Sequence, residues 1–123
     1  MSVRELIERY YRHANDGDWD SWCDLFAEDA VVDEQMAGRI TGAETLRAMM
    51  EGFPAMYPSF ANQARHVLVD GDQAAVVSHI TATTAAGHTV DSDVMNYFEV
   101  RGNRIAYMAN YHDTAPFRRV LDA

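Results

Sequence analysis

The sequence contains no lysine: all ten of its basic side chains are arginine. A Schiff-base lysine and the phosphate-cradling lysine of a P-loop are thereby excluded. There is one cysteine, Cys23, so neither an intrachain disulfide nor a thiolate zinc cage can form. Between Trp22, Leu25 and Phe26, Cys23 reads as a small core filler. No apolar run approaches the roughly 20 residues that a membrane-spanning helix needs. The opening Met1-Ser2-Val3-Arg4-Glu5 has no apolar leader, and a cytoplasmic protein is expected. Positive charge is scarce, with ten basic against nineteen acidic side chains and a net charge of -9. Such a surface repels phosphate backbones and anionic lipid, so no nucleic-acid or membrane partner is expected.

What remains is an ordinary globular balance. Of 123 residues, 48% are hydrophobic and 24% charged, which fits one domain over residues 1–123 and excludes disordered and coiled-coil classes. No internal repeat or low-complexity linker interrupts it.

The first half reads as helical. Ser2-Val3-Arg4-Glu5 is a capping box, and Leu6, Ile7, Tyr10, Tyr11 and Ala14 recur at helical spacing until Asn15-Asp16-Gly17 ends the run. Asp18 to Ala27 reads as a second helix burying Trp19, Trp22, Leu25 and Phe26. Ala30-Val31-Val32 reads as a short extended piece. Thr41-Gly42-Ala43-Glu44 reads as another capping box, opening a helix with Leu46, Met49, Met50 and Phe53 on its apolar face. Pro54 and Pro58 stop it.

The second half reads as strands. Gly71, Gly87 and Gly102 cut residues 64–113 into four runs rich in Val, Ile, Thr, Tyr and Phe, joined by hairpin-short links. Helices followed by a meander predict an α+β domain, helices packed on one face of a curved antiparallel sheet. In Thr89–Val100 the inward set must be Val90, Ser92, Val94, Asn96, Phe98 and Val100, because the opposite set carries Asp91, Asp93 and Glu99. In Ala74–Ala85 one parity gives Ala75, Val77, His79, Thr81 and Thr83, and His79 is expected to face inward. In the last strand Met108, Asn110 and His112 share one parity. The other parity, Ile105, Tyr107, Ala109 and Tyr111, predicts an outer face that packs against a second copy as a homodimer.

These features resemble the NTF2-like superfamily in its SnoaL-like branch. The residues that carry the likeness are Ile7-Glu8-Arg9-Tyr10, Asn15-Asp16-Gly17-Asp18, Leu25-Phe26-Ala27-Glu28-Asp29-Ala30 and Gly42. Tyr97-Phe98-Glu99-Val100, Arg104-Ile105 and Tyr111-His112-Asp113 complete it. The likeness spans nearly the whole chain and implies a cone-shaped α+β fold around a deep, mostly apolar pocket. Reactions within the branch are diverse, and the resemblance implies chemistry without cofactor or metal. Tyr10 falls where ketosteroid isomerase-like enzymes carry their oxyanion-hole tyrosine, and Glu34 where they carry the general base. Their second donor, a protonated aspartate, corresponds to Asn96, a position where polyketide-cyclase relatives also carry aspartate. The Asp-Arg-Asp set of limonene epoxide hydrolase-like enzymes corresponds to Thr81, His79 and Asn110, which lack that chemistry. His66 falls near a catalytic histidine of scytalone dehydratase-like enzymes.

Read without the family, Tyr10, Glu34, His66, His79, Asn96, Asn110 and His112 gather on predicted inward faces. Each alone has a bland reading as a satisfied core group. Together, unpaired, they would cost more than a marginal domain tolerates. Glu34 follows Val31-Val32 and precedes Met36, and partial burial is expected to raise its pKa toward the range of a general base. Three histidines with Glu34 also allow a metal site, but no ligand spacing such as His-x-x-x-His supports one.

The expectation is therefore an enzyme without cofactor that isomerises, cyclises or dehydrates a small apolar carbonyl compound, as in secondary metabolism. Glu34, Tyr10, His66, His79, Asn96 and His112 are its candidate catalytic residues. Trp22, Met36, Thr81, Phe98, Met108 and Asn110 are its candidate binding residues. The other expectation is a non-catalytic binding or assembly domain built on the same pocket.

Overall fold

Ser2 Oγ accepts a hydrogen bond from the Glu5 N–H at 3.1 Å and starts helix α1 (Val3–Asn15) in a computed structural model that describes residues 1–121. The Glu5 carboxylate turns to the Ser2 hydroxyl instead of the Ser2 backbone, so only half of the capping box forms. The expected stripe of Leu6, Ile7, Tyr10, Tyr11 and Ala14 is buried. Gly17, at φ +69°, turns the chain out of α1 in a conformation that strains any residue with a Cβ.

The next segment departs from expectation. Helix α2 (Trp19–Cys23) is short, and Phe26 already begins strand β1 (Phe26–Glu34). Phe26 and Ala27 leave the helix because strand pairing and burial outweigh a weak helical preference. Strand β2 (Gly38–Thr41) pairs back on β1. Gly42, at φ +91°, stands before α3 (Ala43–Met50) with no side-chain cap, so the Thr41–Glu44 capping box is not made. A short α4 (Phe53–Met56) follows.

Strands β3 (Ser59–Asp70), β4 (Gln73–Thr83), β5 (Thr89–Arg101) and β6 (Arg104–Tyr111) form the expected meander, starting earlier than residue 64. Gly102 and Asn103 both take positive φ in the two-residue link between β5 and β6, the backbone that matches strand twist. All six strands make one curved, unclosed sheet in the order β2-β1-β6-β5-β4-β3. The β1–β6 pair is parallel, so the sheet is mixed and not purely antiparallel. A last helix, α5 (Ala115–Leu121), was not anticipated; Asp113 Oδ1 accepts the Ala115 N–H at 2.9 Å, and Pro116 fits its first turn.

Inner and outer faces follow the pleat. In β5 the inward set Val90, Ser92, Val94, Asn96 and Phe98 is buried, and Asp91, Asp93 and Glu99 are exposed. In β4 the parity is the reverse of that expected: Ala74, Val76, Ser78 and Ala82 are buried, and His79 and Thr81 face outward. In β6 the register slips at Ala106, so Ile105 pairs with inward Val100 and is fully buried, while Tyr107 stands beside outward Glu99. Ile105 is thus a core residue and not part of an outer patch. Phe98, also fully buried, contacts Tyr10 edge-on at 5.0 Å; burying such a ring contributes about 2–3 kcal/mol.

Candidate functional site

A cavity of about 440 Å³ lies between the helices and the inner face of the sheet. Its aromatic wall is Trp19, Phe53 and Phe60, which meet edge-on at centroid distances of 4.8 to 5.5 Å. Met49, Met50 and Met108 fill in around them, and Phe117 of α5 joins the lining. No helix among the described residues is long and apolar enough to cross a membrane.

Polar groups enter this apolar space at few points. Glu34 ends β1, and its Oε2 accepts hydrogen bonds from the N–H groups of Met36 (2.7 Å) and Ala37, clamping the β1–β2 turn. Its Oε1 accepts none among the described residues. Burial holds the Tyr10 hydroxyl well above the usual tyrosine pKa; Tyr11 and the Glu34 charge push it further the same way. Tyr57 is raised by burial and then by the same carboxylate. Both phenols stay protonated at ordinary pH and can only act as neutral donors or acceptors.

Asn96 also borders the cavity, but both of its amide hydrogens are engaged. Nδ2 donates to the Tyr11 hydroxyl at 2.9 Å and to Ser78 Oγ at 3.1 Å, a fully internal bridge between α1, β4 and β5. Asn110 Oδ1 accepts the Gln35 N–H at 2.9 Å. His112 packs against Phe117 with ring centroids 4.7 Å apart and the planes tilted by 54°, and places Nδ1 at 2.8 Å from the Asp113 carbonyl. A carbonyl can only accept, so Nδ1 carries the proton and Nε2 of the neutral ring keeps a lone pair.

Of the residues selected from sequence, Tyr10, Trp22, Glu34, Met36, Asn96, Met108, Asn110 and His112 line this cavity. Four do not. His66 lies exposed across from Val77 on the outer face, beyond a register shift in β3. His79 faces outward too, its Nδ1 at 2.7 Å from Asp93 Oδ1 and its Nε2 on Asp91. Thr81 is exposed on the same face. Phe98 lies in the core beneath Tyr10.

Asn62 is the residue that sequence reasoning missed. It is buried in β3, beside the cavity, and its main chain is gripped by Asn15, which accepts the Asn62 N–H at 2.6 Å and donates to its carbonyl at 3.0 Å. The available signal was parity: Asn62 follows Phe60 by two, on the same face, just ahead of the runs that begin at residue 64. Among the described residues, Trp22 Nε1 and Asn62 Oδ1 are buried without any hydrogen-bond partner. The Trp22 indole lies near enough to the Tyr10 hydroxyl to offset part of its raised pKa, yet the two do not form a hydrogen bond of acceptable geometry.

The outer face is different in kind. Arg39 forks onto Asp33 at 2.8 and 2.9 Å, and the Tyr107 hydroxyl donates to the same carboxylate at 2.5 Å. These hydrogen bonds hold Asp33 down at about 2, and the Asp33 contact pushes Tyr107 up to about 12. Tyr97 donates toward Glu99 at 2.9 Å and lies 3.1 Å from Gln73. Arg65 reaches Asp93 at 3.2 Å.

The SnoaL-like domain profile matches residues 7–108. No curated protein matches the sequence. Among solved structures, an NTF2-like protein from Burkholderia pseudomallei superposes with a TM-score of 0.91 at 15% identity, covering 100% of each chain. IdmH, a candidate polyketide cyclase from Streptomyces antibioticus, gives 0.82 at 19% identity, also over 100% of each chain. TerC, crystallised with polyporic acid, gives 0.86 at 17% identity over 98% of each chain. At these identities the likeness establishes the NTF2-like fold.

Proposed function

The chain belongs to the SnoaL-like domain family, and from that premise we propose that it is a cofactor-independent enzyme acting on a neutral, largely apolar carbonyl compound. Glu34 Oε1 takes a proton from the carbon next to the carbonyl, and the electron pair moves onto the carbonyl oxygen. The Tyr10 hydroxyl donates to that oxygen as its charge develops, the kind of contact that lowers such barriers most. His112, with Nε2 free to carry a proton, serves as the acid where a hydroxyl must leave. Isomerisation, cyclisation and dehydration all begin with this step. The polyporic acid of TerC and the cyclase assignment of IdmH support an aromatic or polyketide-like ligand, and with it a place in secondary metabolism. A cytoplasmic homodimer completes this reading.

One observation carries it: a carboxylate and a protonated phenol border the same apolar cavity. The test is deuterium uptake at the carbon next to the carbonyl of α-tetralone in deuterium oxide, followed by NMR. Wild-type protein should accelerate uptake, and Glu34→Gln should lose about 10²–10⁴ of that acceleration. No acceleration by wild-type protein, across a set of cyclic ketones, overturns the reading.

A second reading is favoured by the grip of two backbone amides on Glu34 Oε2. There Glu34 is a turn clamp and the cavity is a receptor. Ketones would then bind without exchange, and Glu34→Gln would lower stability and leave binding intact.

A further inference from the structure

We infer that the cavity is also a receptor for a hydrophobic organic cation, a tertiary or quaternary ammonium held among the rings of Trp19, Phe53 and Phe60 with the Glu34 carboxylate as its counter-charge. This goes beyond the acid–base reading, because it requires neither a carbonyl group nor a proton transfer.

The starting point is a charge without a partner. Elsewhere the carboxylates of Asp20, Asp24, Asp29, Asp33, Asp91 and Asp93 each meet an arginine or a histidine. Glu34 enters no ion pair among the described residues. It lines an apolar cavity whose described lining holds no arginine, and the chain has no lysine. His112 on the same lining adds no charge in its neutral form. Met36 and Ala37 engage Oε2 alone, so Oε1 is left for a ligand. The field of this carboxylate reaches the Tyr10 and Tyr57 hydroxyls, which line the same space. A negative charge in such surroundings favours any cation that can leave water cheaply enough to join it.

The walls suit such a cation. Trp19, Phe53 and Phe60 all line the cavity and are only partly buried, so their rings remain accessible. Their planes cross at 69°, 66° and 77°, with centroids 4.8 to 5.5 Å apart. Rings so crossed turn their faces in three directions, and each face carries the negative side of a quadrupole that attracts an ammonium within about 6 Å. Met49 and Met50 add polarisable sulfur. The same walls choose among amines. A primary ammonium brings three N–H donors that aromatic rings and thioethers leave unsatisfied, whereas a quaternary one brings none. About 440 Å³ leaves room for an aryl group beside the ammonium head. The net charge of -9 concentrates cations around the molecule and repels carboxylate ligands.

Calorimetric titration tests this with three probes of similar size: benzyltrimethylammonium, neutral α-tetralone and anionic 3-phenylpropanoate. Wild-type protein should bind the cation about 10-fold or more tightly than the anion. Glu34→Gln keeps an oxygen for the turn and removes the charge. It should weaken the cation about 10-fold and change α-tetralone by no more than about twofold. Phe60→Leu should weaken the cation about threefold or more. If a variant fails to fold, methionine-methyl NMR on wild-type protein still decides. The cation should then shift Met49 and Met50, which line the cavity, and spare Met95 on the outer face. Equal affinity for cation and anion overturns the proposal. So does cation binding that survives both substitutions or shifts only Met95, because it then belongs to the acidic surface. Cation binding without ketone exchange leaves this inference standing and removes the acid–base reading; exchange without cation binding does the reverse.

Discussion

On the outer face of the sheet, Asp33 is held by Arg39 and Tyr107, and His79 by Asp91 and Asp93; on the concave side, Trp22 of α2 and Asn62 of β3 keep buried polar atoms with no partner among the described residues. Outer charges in water gain little from pairing, yet Asp33, Arg39, His79, Asp91 and Asp93 are all paired. Inner groups lose most when unpaired, yet two are left open. Paired surface groups need no ligand to explain them. The unpaired interior groups lie on the concave side, where Glu34 and Tyr10 line the cavity.

The sharpest way to test the contrast is the closed inner cluster of Asn96, Tyr11 and Ser78. Asn96→Leu should cost about 1–3 kcal/mol in urea unfolding, because Tyr11 and Ser78 lose a buried donor. Ketone exchange by the folded variant should stay within about threefold of wild type. A collapse of exchange at unchanged stability would return Asn96 to the reaction.

The outer face can be broken at its apolar spots. Tyr111 and Met95 stand opposite one another across β6 and β5, at 55% and 42% exposure. If the homodimer forms through this face, Tyr111→Glu should weaken association about tenfold or more by light scattering, since it buries an unpaired charge. Wild-type protein that is monomeric at every concentration ends the dimer proposal.

The smallest effect is a pH dependence. The hydrogen bond with Asp93, reinforced by the Asp91 charge, raises the His79 pKa, with desolvation and then Arg65 opposing. The imidazolium therefore stabilises the fold fully below the unfolded histidine value of about 6.5, and that stabilisation fades as pH climbs through the higher folded value. Asp93, lowered by the same contact, gives its share above the ordinary carboxyl range and loses it in acid. Thermal melts from about pH 6 to 9 should fall more steeply for wild type than for His79→Gln. Parallel curves would show that the contact contributes nothing measurable.

The same contrast explains what could be read from the sequence. Strand β5 was legible because one parity carries Asp91, Asp93 and Glu99, which cannot be buried unpaired. Strand β4 was not, because both of its parities are apolar: Ala74, Val76 and Ile80 alternate with Ala75 and Val77. Pairing with β5 decides between them, and it turns His79 and Thr81 outward. In β6 a single slipped residue sent Ile105 inward, a choice set by the register with β5. Glu34, Tyr10 and His112 line the cavity; the resemblance pointed to the first two and strand parity to the third. Asn62 shares parity with Phe60, but its fixed main chain depends on Asn15 at the end of α1, far from it in sequence.

The parallel pairing of β1 with β6 has a consequence in time. Glu34 leaves the ribosome early, but the strand beside it is the last one made, and Gln35 binds the Asn110 side chain across most of the chain's length. Hairpins β3–β4 and β4–β5 can zip as they emerge. The cavity wall that carries Glu34 cannot close until β6 arrives, and contacts of such sequence separation are slow to form. A chain halted before residue 104 would own most of its sheet and none of its completed pocket, so the candidate site is the last thing this protein acquires.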